Sequence, residues 1–364
     1  MSSDRISPPP LKRRRISPPA SITTTTKAQA VAADLRIYAW NVNGIQPFLQ
    51  RPITSFFQSD VADATKPRAS LRDFLRRHDW PHALLLQEVK IAPTDTTTQR
   101  SVAAAVAAPI NSSEPDYKVF FTLPTDRYNA KGFGRKVYGV CSIVRSDFVA
   151  SQGVTARTVE WDQEGRFSIL ETVGMHGWPK LSIWNVYAVN GTDFDYRDSE
   201  TGQVIGTRHD RKLQVHQLMI EECMRLEREG FSVILAGDMN VARDYRDGFP
   251  RLRSKPEQHI RNRQDFVQRI FEDPQGLQAI DTFRELHGDE RRYTYYSRGI
   301  EWGQSCDRVD YVICSALLKS SLREAGILDS EKERGPSDHV PVFASFAFVG
   351  KAPSKHMVQD DSIS

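Results

Sequence analysis

Six places in the sequence join an apolar run to a side chain that can ligate, donate or accept a proton. Leu35–Ile37 leads into Trp40-Asn41-Val42-Asn43-Gly44, and Ala83–Leu86 leads into Gln87-Glu88-Val89-Lys90. Leu181–Val186 ends at Tyr187, with Asn190-Gly191 just beyond, and Val233–Ala236 ends in Gly237-Asp238-Met239-Asn240. Asp310 sits in Arg308-Val309-Asp310-Tyr311, and Ser337-Asp338-His339 precedes the last apolar run. A carboxylate, amide or imidazole where a buried strand emerges is costly unless it caps a turn or faces a site. Each alone is explained by turn preference or a surface ion pair, since Gly-Asp-x-Asn and Asn-Gly suit tight turns. Six together are not.

Glu88 and Asp338 are hard oxygen ligands suited to magnesium, which is held by one or two carboxylates and keeps several waters. Nothing resembles the His- or Cys-rich spacing of a zinc site. Asp238 can take a proton from, or orient, an attacking water. Asn240, Asn190, Tyr187 and His339 can donate hydrogen bonds to a phosphate oxygen as charge builds on it. Asp310 can fix the tautomer of His339 and favour its charged form. No serine, cysteine or lysine is obviously activated as a nucleophile, so water attacks directly in this scheme.

These residues need strands to carry them. Apolar runs mark strands at Leu35–Asn41, Ala83–Gln87, Lys118–Thr122, Tyr138–Val144, Phe167–Glu171, Leu181–Tyr187, Val233–Ala236, Asp310–Cys314 and Val340–Phe348. Helices are expected at Leu71–Arg77, Arg208–Glu229, Asn262–Phe271 and Ile280–Leu286, with Val215, Met219, Cys223 and Leu226 on one face of the longest. So many strands with few long helices predict two packed sheets flanked by helices, an α/β (α+β) sandwich. Residues 91–116 and 192–210 look like surface insertions.

The 364 residues, 39% hydrophobic and 26% charged, suffice for a large core. No stretch approaches a membrane span, and no apolar leader opens the chain. Cys141, Cys223, Cys306 and Cys314 form neither a disulfide framework nor a zinc pattern and are expected to be reduced thiols. Residues 1–33 carry Arg5, Lys12, Arg13, Arg14, Arg15 and Lys27 against Asp4, so their charge is +5. Since the chain carries +3, the remainder is −2. Any polyanion is therefore bound through local patches and metal, not a global field.

The proline- and threonine-rich residues 1–33 predict a disordered tail; its cluster Lys12–Arg15 is read as a nuclear-import signal, the alternative being a solvated arm that touches nucleic acid nonspecifically. Phosphorylation of Ser7 or Ser17 would weaken its charge. A catalytic domain over 34–349 and a flexible tail over 350–364 complete the division.

At this level of detail the chain resembles the exonuclease III / apurinic-apyrimidinic endonuclease group of the endonuclease–exonuclease–phosphatase superfamily, from about Leu35 to Phe348. The resemblance rests on the motifs above together with Asp162-Gln163-Glu164-Gly165-Arg166 and Val241-Ala242. It implies a DNase I-like four-layer α/β sandwich with the site at one end of two sheets. It further implies Mg²⁺ (or Mn²⁺) at Glu88, with Asn41, Asp238, Asn240, Asp338 and His339 completing the candidate metal set. Water activation by Asp238, phosphate contacts from Asn240, Asn190, Tyr187 and His339, and support of His339 by Asp310 follow from it. Asn43, Lys90 and Arg308 are expected behind these groups.

The implied activity is DNA-repair phosphodiester hydrolysis on duplex DNA with an abasic site or a 3′ end, by a nuclear monomer with no membrane association; a mitochondrial pool is left open. Relatives specialised for abasic sites often place tryptophan where this chain has Asp307, which makes a 3′-end-processing exonuclease a serious reading. Phosphoesterases on RNA, inositol or phospholipid remain as an alternative within the superfamily; a non-catalytic binding protein would be expected to lack site residues. Arg243, Arg246, Arg251 and Arg253, in an arginine-rich stretch over 243–263, are the candidate DNA contacts, with Lys131 and Arg135 among glycines as a second phosphate-binding loop.

Overall fold

A computed structural model of the chain describes residues 33–49, 70–130 and 138–348. The basic tail, the 350–364 tail, Lys131 and Arg135 lie outside the described residues.

Alternation along the first strand, Ala33–Asn41, sets the layering. Leu35, Ile37 and Ala39 face one core, while Tyr38 and Trp40 face another. One six-stranded sheet runs Leu322–Ile327, Val342–Phe348, Ala33–Asn41, Ala83–Gln87, Val140–Arg145, Tyr117–Thr122. The second runs Ile280–Asp281, Asp310–Cys314, Phe231–Asp238, Lys180–Tyr187, Phe167–Glu171, Thr155–Arg157. Between them lies the core containing Leu35, Ile37, Leu85, Leu170, Ile183, Ile234 and Phe346. Helices cover both outer faces. Leu71–Arg77 and Thr96–Val106 supply Leu71, Phe74, Val102 and Val106 on one side; Arg208–Arg228 supplies Val215, Met219, Cys223 and Leu226 on the other. The expected four-layer sandwich is the fold.

Two features lock the sheets in register near one end. Asn185, in the second sheet, accepts from Gln87 Nε2 at 2.8 Å and donates to Leu86 O, Cys141 O and Ser142 Oγ of the first. Gly237 is the other. A Cβ there would lie 3.0 Å from Gln87 Nε2 of the facing sheet and 2.1 Å from Val186 O of the adjacent strand, and its φ of 137° is one that side chains rarely adopt.

Strand edges move by a few residues from expectation, because cross-strand hydrogen bonds continue past the apolar run: Phe231–Asp238 includes the polar end, whereas Tyr138 and Val340 fall outside their strands. The helix expected at Asn262–Phe271 begins earlier, at Gln258, and passes into a wider turn over Gln268–Glu272. Residues 91–116 are corrected more substantially. They hold the helix Thr96–Val106, capped by Asp95, whose Val102 and Val106 are fully buried. Its buried side is only Thr98, Val102 and Val106, so the helical period is faint. Residues 192–210 hold a two-stranded hairpin, Asp195–Arg197 with Val204–Thr207, and the start of the long helix, capped reciprocally by Thr207 and Asp210. The four cysteines are buried free thiols. Among the described residues, no helix is long and apolar enough to cross a membrane.

Replacing Asn185 by alanine removes the acceptor of one Gln87 Nε2 hydrogen, the other staying on Leu85 O, and the donor to three acceptors between the sheets, and should cost about 2–3 kcal/mol of stability. Urea unfolding measures this; a loss below about 0.5 kcal/mol would show that the amides do not hold the sheets.

Candidate active site

In each sheet two neighbouring strands run parallel, and all four end on the same side of the molecule. Asn41 pairs with Gln87 in the first sheet, and Asp238 pairs with Tyr187 in the second. The antiparallel strand Asp310–Cys314 begins with Asp310 opposite Asp238. Tyr187, Asp238 and Asp310 thus form one row, which faces Asn41 and Glu88 across the gap between sheets. The turns leaving these strands are tight. Asn43, Glu88, Lys90 and Asn240 have φ of 50–56°, an unfavourable region for non-glycine residues that persists where surrounding contacts enforce it.

Glu88 is the anionic pole. Its Oε1 accepts from Tyr187 OH at 2.7 Å and Asn41 Nδ2 at 3.2 Å, and Lys90 Nζ lies 3.1 Å from Oε2. Burial alone would favour the neutral acid, but the Lys90 charge and these donors hold the carboxyl below its usual range. Lys90 also donates to Asn43 Oδ1, and Asn43 Nδ2 donates to Asp338 Oδ1 at 2.7 Å. Tyr187 stays a neutral donor, its pKa raised by burial and by Glu88. Arg166 stacks its guanidinium over the Tyr187 and Tyr138 rings, 4.7 and 4.6 Å from their centroids, and pairs with buried Glu164 at 2.9 Å.

Asp238 is almost fully buried. Oδ2 accepts from Asn41 Nδ2 at 3.0 Å and Asn240 Nδ2 at 3.3 Å, and Oδ1 accepts from the Asn240 backbone N–H at 2.8 Å. Burial and the neighbouring Asp310 raise its pKa to about 7, against the pull of His339. His339 Nδ1 is bonded to Asp310 Oδ2 at 2.8 Å. Burial opposes its charge, yet Asp310 dominates and raises the imidazole to about 10. The pair is an imidazolium held between carboxylates, with Nε2 left as a donor.

Two groupings could take a cation. Ligand atoms of Asp238, Asp310 and His339 lie within 4.8 Å of one another. A charged imidazole has no lone pair to give, however, and its Nδ1 is committed to Asp310. The Glu88 side fits better: an ionised carboxylate with an unused lone pair, beside the side-chain oxygens of Asn41, Asn43 and Asp338, is a hard-oxygen set. In this geometry His339 stands as a hydrogen-bond donor bound to Asp310.

These groups open into one pocket of about 310 Å³. Glu88, Tyr187, Asn190, Asp238, Asn240, Asp338 and His339 line it, so the structure brings those expected residues together, with Asn41 and Asp310 directly behind. Asn240 has a different task from the one expected. Both its amide hydrogens are used, on Asp238 and on Ala188 O at 2.9 Å, so it aims the carboxylate and does not face outward as a donor. Arg243 and Arg246 are engaged elsewhere. Arg243 lies over Phe271 and 3.6 Å from buried Asp281; Arg246 pairs with Asp244 and Asp289. Arg251 and Arg253 are exposed, and Arg253 reaches the pocket wall. Arg308 is buried in bonds to Asp247 at 2.7 Å and Asp281 at 2.7 Å, which pin the loop after Asn240 to the sheet. Asp307 lines the far wall, in one row with Gly248 and Tyr295 of a small third sheet, its pKa raised by burial to about 6.

Sequence reasoning missed Lys212, His259 and Asn262 on the pocket wall. A signal was available for the first. His209, Lys212 and His216 continue the apolar face of the long helix at spacings of three and four, and all three are buried there. Polar residues in register with a core stripe mark an occupied or functional spot. Burial lowers the Lys212 pKa to about 7, and its Nζ donates to Asn240 O at 2.7 Å.

A family model described as "Endonuclease/Exonuclease/phosphatase family" matches residues 38–339. No curated protein matches the chain significantly. Among solved structures, the catalytic domain of Xenopus laevis APE2 is similar at 20% identity and a TM-score of 0.59, over 87% of this chain and 94% of that one. The AP endonuclease LMAP from Leishmania major is similar at 18% identity and 0.60, over 86% and 88%. A 3′ phosphatase from Neisseria, NExo, bound to a product DNA hairpin, is similar at 19% identity and 0.54, over 86% and 99%. At such identities these likenesses carry the fold.

The His339 ring resonances should not titrate between pH 6 and 9 by NMR, and Asp310→Asn should bring a titration into that window. The sign for stability follows. The folded value lies above the ordinary 6.5, so the pair's contribution is complete below 6.5 and is lost as pH rises through about 10. A wild-type titration near 6.5 would contradict the ion pair.

Proposed function

The chain belongs to the endonuclease/exonuclease/phosphatase family, and on that premise we propose that it is a magnesium-dependent DNA-repair phosphodiesterase working by direct attack of water. One observation carries this reading. Anionic Glu88, the buried acceptor Asp238 and the imidazolium of His339 converge on a single pocket at the ends of two sheets. A cation ligand, a proton acceptor and a charged donor are the three functions that hydrolysis of a phosphodiester needs.

Enzymes of this family generally depend on a divalent metal. Glu88, with Asn41, Asn43 and Asp338, would hold it, and it would supply charge to the phosphate and to the leaving oxygen. The chain's own residues do the rest. Asp238, aimed by Asn41 and by both donors of Asn240, accepts the proton of the attacking water. His339 offers Nε2–H to a non-bridging phosphate oxygen, and Asp310 keeps that ring charged and oriented. Asn190 at the rim offers a second amide donor. Tyr187, wedged between Glu88 and the Arg166 guanidinium, holds the carboxylate in place.

For the substrate, Arg251 and Arg253 after the Asp238 turn would meet the DNA backbone. A carboxyl at Asp307, where a baseless sugar next to phosphate would be held, favours processing of 3′ ends over incision at abasic sites. Two of the similar structures are described as AP endonucleases and another as a 3′ phosphatase with product DNA bound. The basic cluster Lys12–Arg15 supports a nuclear location, with the protein acting as a monomer.

The test is a panel of duplexes with a recessed 3′ end, a 3′-phosphate or an abasic site, alongside single-stranded RNA and a phosphoinositide. Cleavage of the recessed 3′ end, abolished by EDTA, is expected to lead the panel. Asp238→Asn and Glu88→Ala should each lower it by about 10²–10⁴-fold. Turnover of the RNA or the lipid with intact DNA, or full activity in Asp238→Asn, would overturn the proposal.

A further inference from the structure

The pocket has two unlike walls. Glu88, Asp238 and Asp338 gather on the first; Lys212, Arg253 and Arg263 stand on the second, where Asp307 is the acidic neighbour of the two arginines without forming an ion pair with either. Two of these groups are held in a way unusual for this protein, whose arginines mostly pair with acids. Lys212 Nζ donates to the backbone carbonyl of Asn240 at 2.7 Å. Arg263 donates from Nε to Ala242 O and from Nη2 to Arg253 O, both at 2.7 Å. Carbonyls position a cation without cancelling its charge. Among the described residues, none of the three forms an ion pair with a carboxylate. By contrast Arg243 and Arg246, on the same loop, are paired with Asp281, Asp244 and Asp289.

Three basic groups without an ion-paired carboxylate share this wall; the most buried, Lys212, is held near the point of losing its proton by burial, so an anion in the pocket would favour its charged form. The carbonyls they grip belong to Asn240 and Ala242, in the turn that carries Asp238. Lys212 and Arg263 are therefore fixed relative to the water-activating carboxylate, and Arg253 stands exposed at the same pocket. A strand of nucleic acid presents phosphates at regular intervals, so a strand with one phosphate at Asp238 brings its neighbour to an adjacent wall.

We propose that Lys212, Arg253 and Arg263 form a second phosphate subsite, which takes the phosphate one nucleoside away from the scissile one. The unit the pocket recognises is then a nucleoside flanked by two phosphates. This rests on the phosphodiesterase reading and deepens it: bonds with a phosphate neighbour are favoured over isolated phosphate esters.

The probes are thymidine 3′,5′-bisphosphate and the 3′- and 5′-monophosphates of thymidine. Their binding to the full-length Asp238→Asn protein, whose turnover is slowed, is measured by calorimetry with Mg²⁺. The bisphosphate should bind at least about tenfold tighter than either monophosphate. Arg253→Gln, at an exposed position, should erase most of that advantage with an unchanged circular dichroism spectrum, and adding Arg263→Gln should erase the remainder. Equal affinities for bisphosphate and monophosphates, or an advantage that survives Arg253→Gln, would overturn the subsite. Wild-type protein on the recessed 3′ end separates the two claims. A bisphosphate advantage without DNA cleavage keeps the subsite and rejects the nuclease; cleavage without the advantage does the reverse.

Discussion

The registration of the two sheets by the buried amides of Gln87 and Asn185 is the constraint on which the site depends. Apolar packing alone would tolerate small sliding of one sheet over the other, because hydrophobic contacts are not directional. Amides in a dry interior are. They must meet specific carbonyls or forfeit their hydrogen bonds, so they fix the offset between sheets. They lie one residue from Glu88 and two from Tyr187, and Gly237, next to Asp238, leaves room for the Gln87 amide.

Given that register, the electrostatics follow from proximity. Asp238 and Asp310 are opposite one another on neighbouring strands and both buried, an arrangement that like charges resist. His339 resolves the conflict by standing as a cation against Asp310, which leaves Asp238 a carboxyl poised near neutrality. Glu88 is separated from this cluster by Asn41, whose amide donates to both carboxylates at once. On the proposed reading, one neutral side chain divides a cation-binding pole from a proton-accepting one. The same logic recurs on the far wall, where cations are gripped by carbonyls and their charge is left over for a ligand.

Much of this was legible in the chain. Apolar runs that end in Asn41, Glu88, Tyr187 and Asp238 marked both the strands and their functional ends, because a polar group there has no other cheap place to go. The sandwich followed from the number of strands. Other parts were not legible, for physical reasons. Thr96–Val106 is a helix whose buried side is two valines and a threonine, too small to stand out. Asn240 looked like a free donor, since sequence cannot reveal that Ala188 O and Asp238 consume its hydrogens. Arg243, Arg246 and Arg253 are indistinguishable as letters; only the fold supplies acids to the first two and leaves the third open. Lys212 was readable in principle, as a charge in register with a core stripe, but the apolar pattern drew attention to Val215 and beyond.

The central claim is the division of labour between Glu88, as the cation pole, and the Asp238–His339–Asp310 group, as the proton-handling pole. Anomalous diffraction from crystals soaked in Mn²⁺ tests it most directly. The account predicts a peak against the Glu88 carboxylate, with His339 Nδ1 still bonded to Asp310. A sole peak enclosed by Asp238, Asp310 and His339, with the imidazole turned to ligate it, would contradict that assignment.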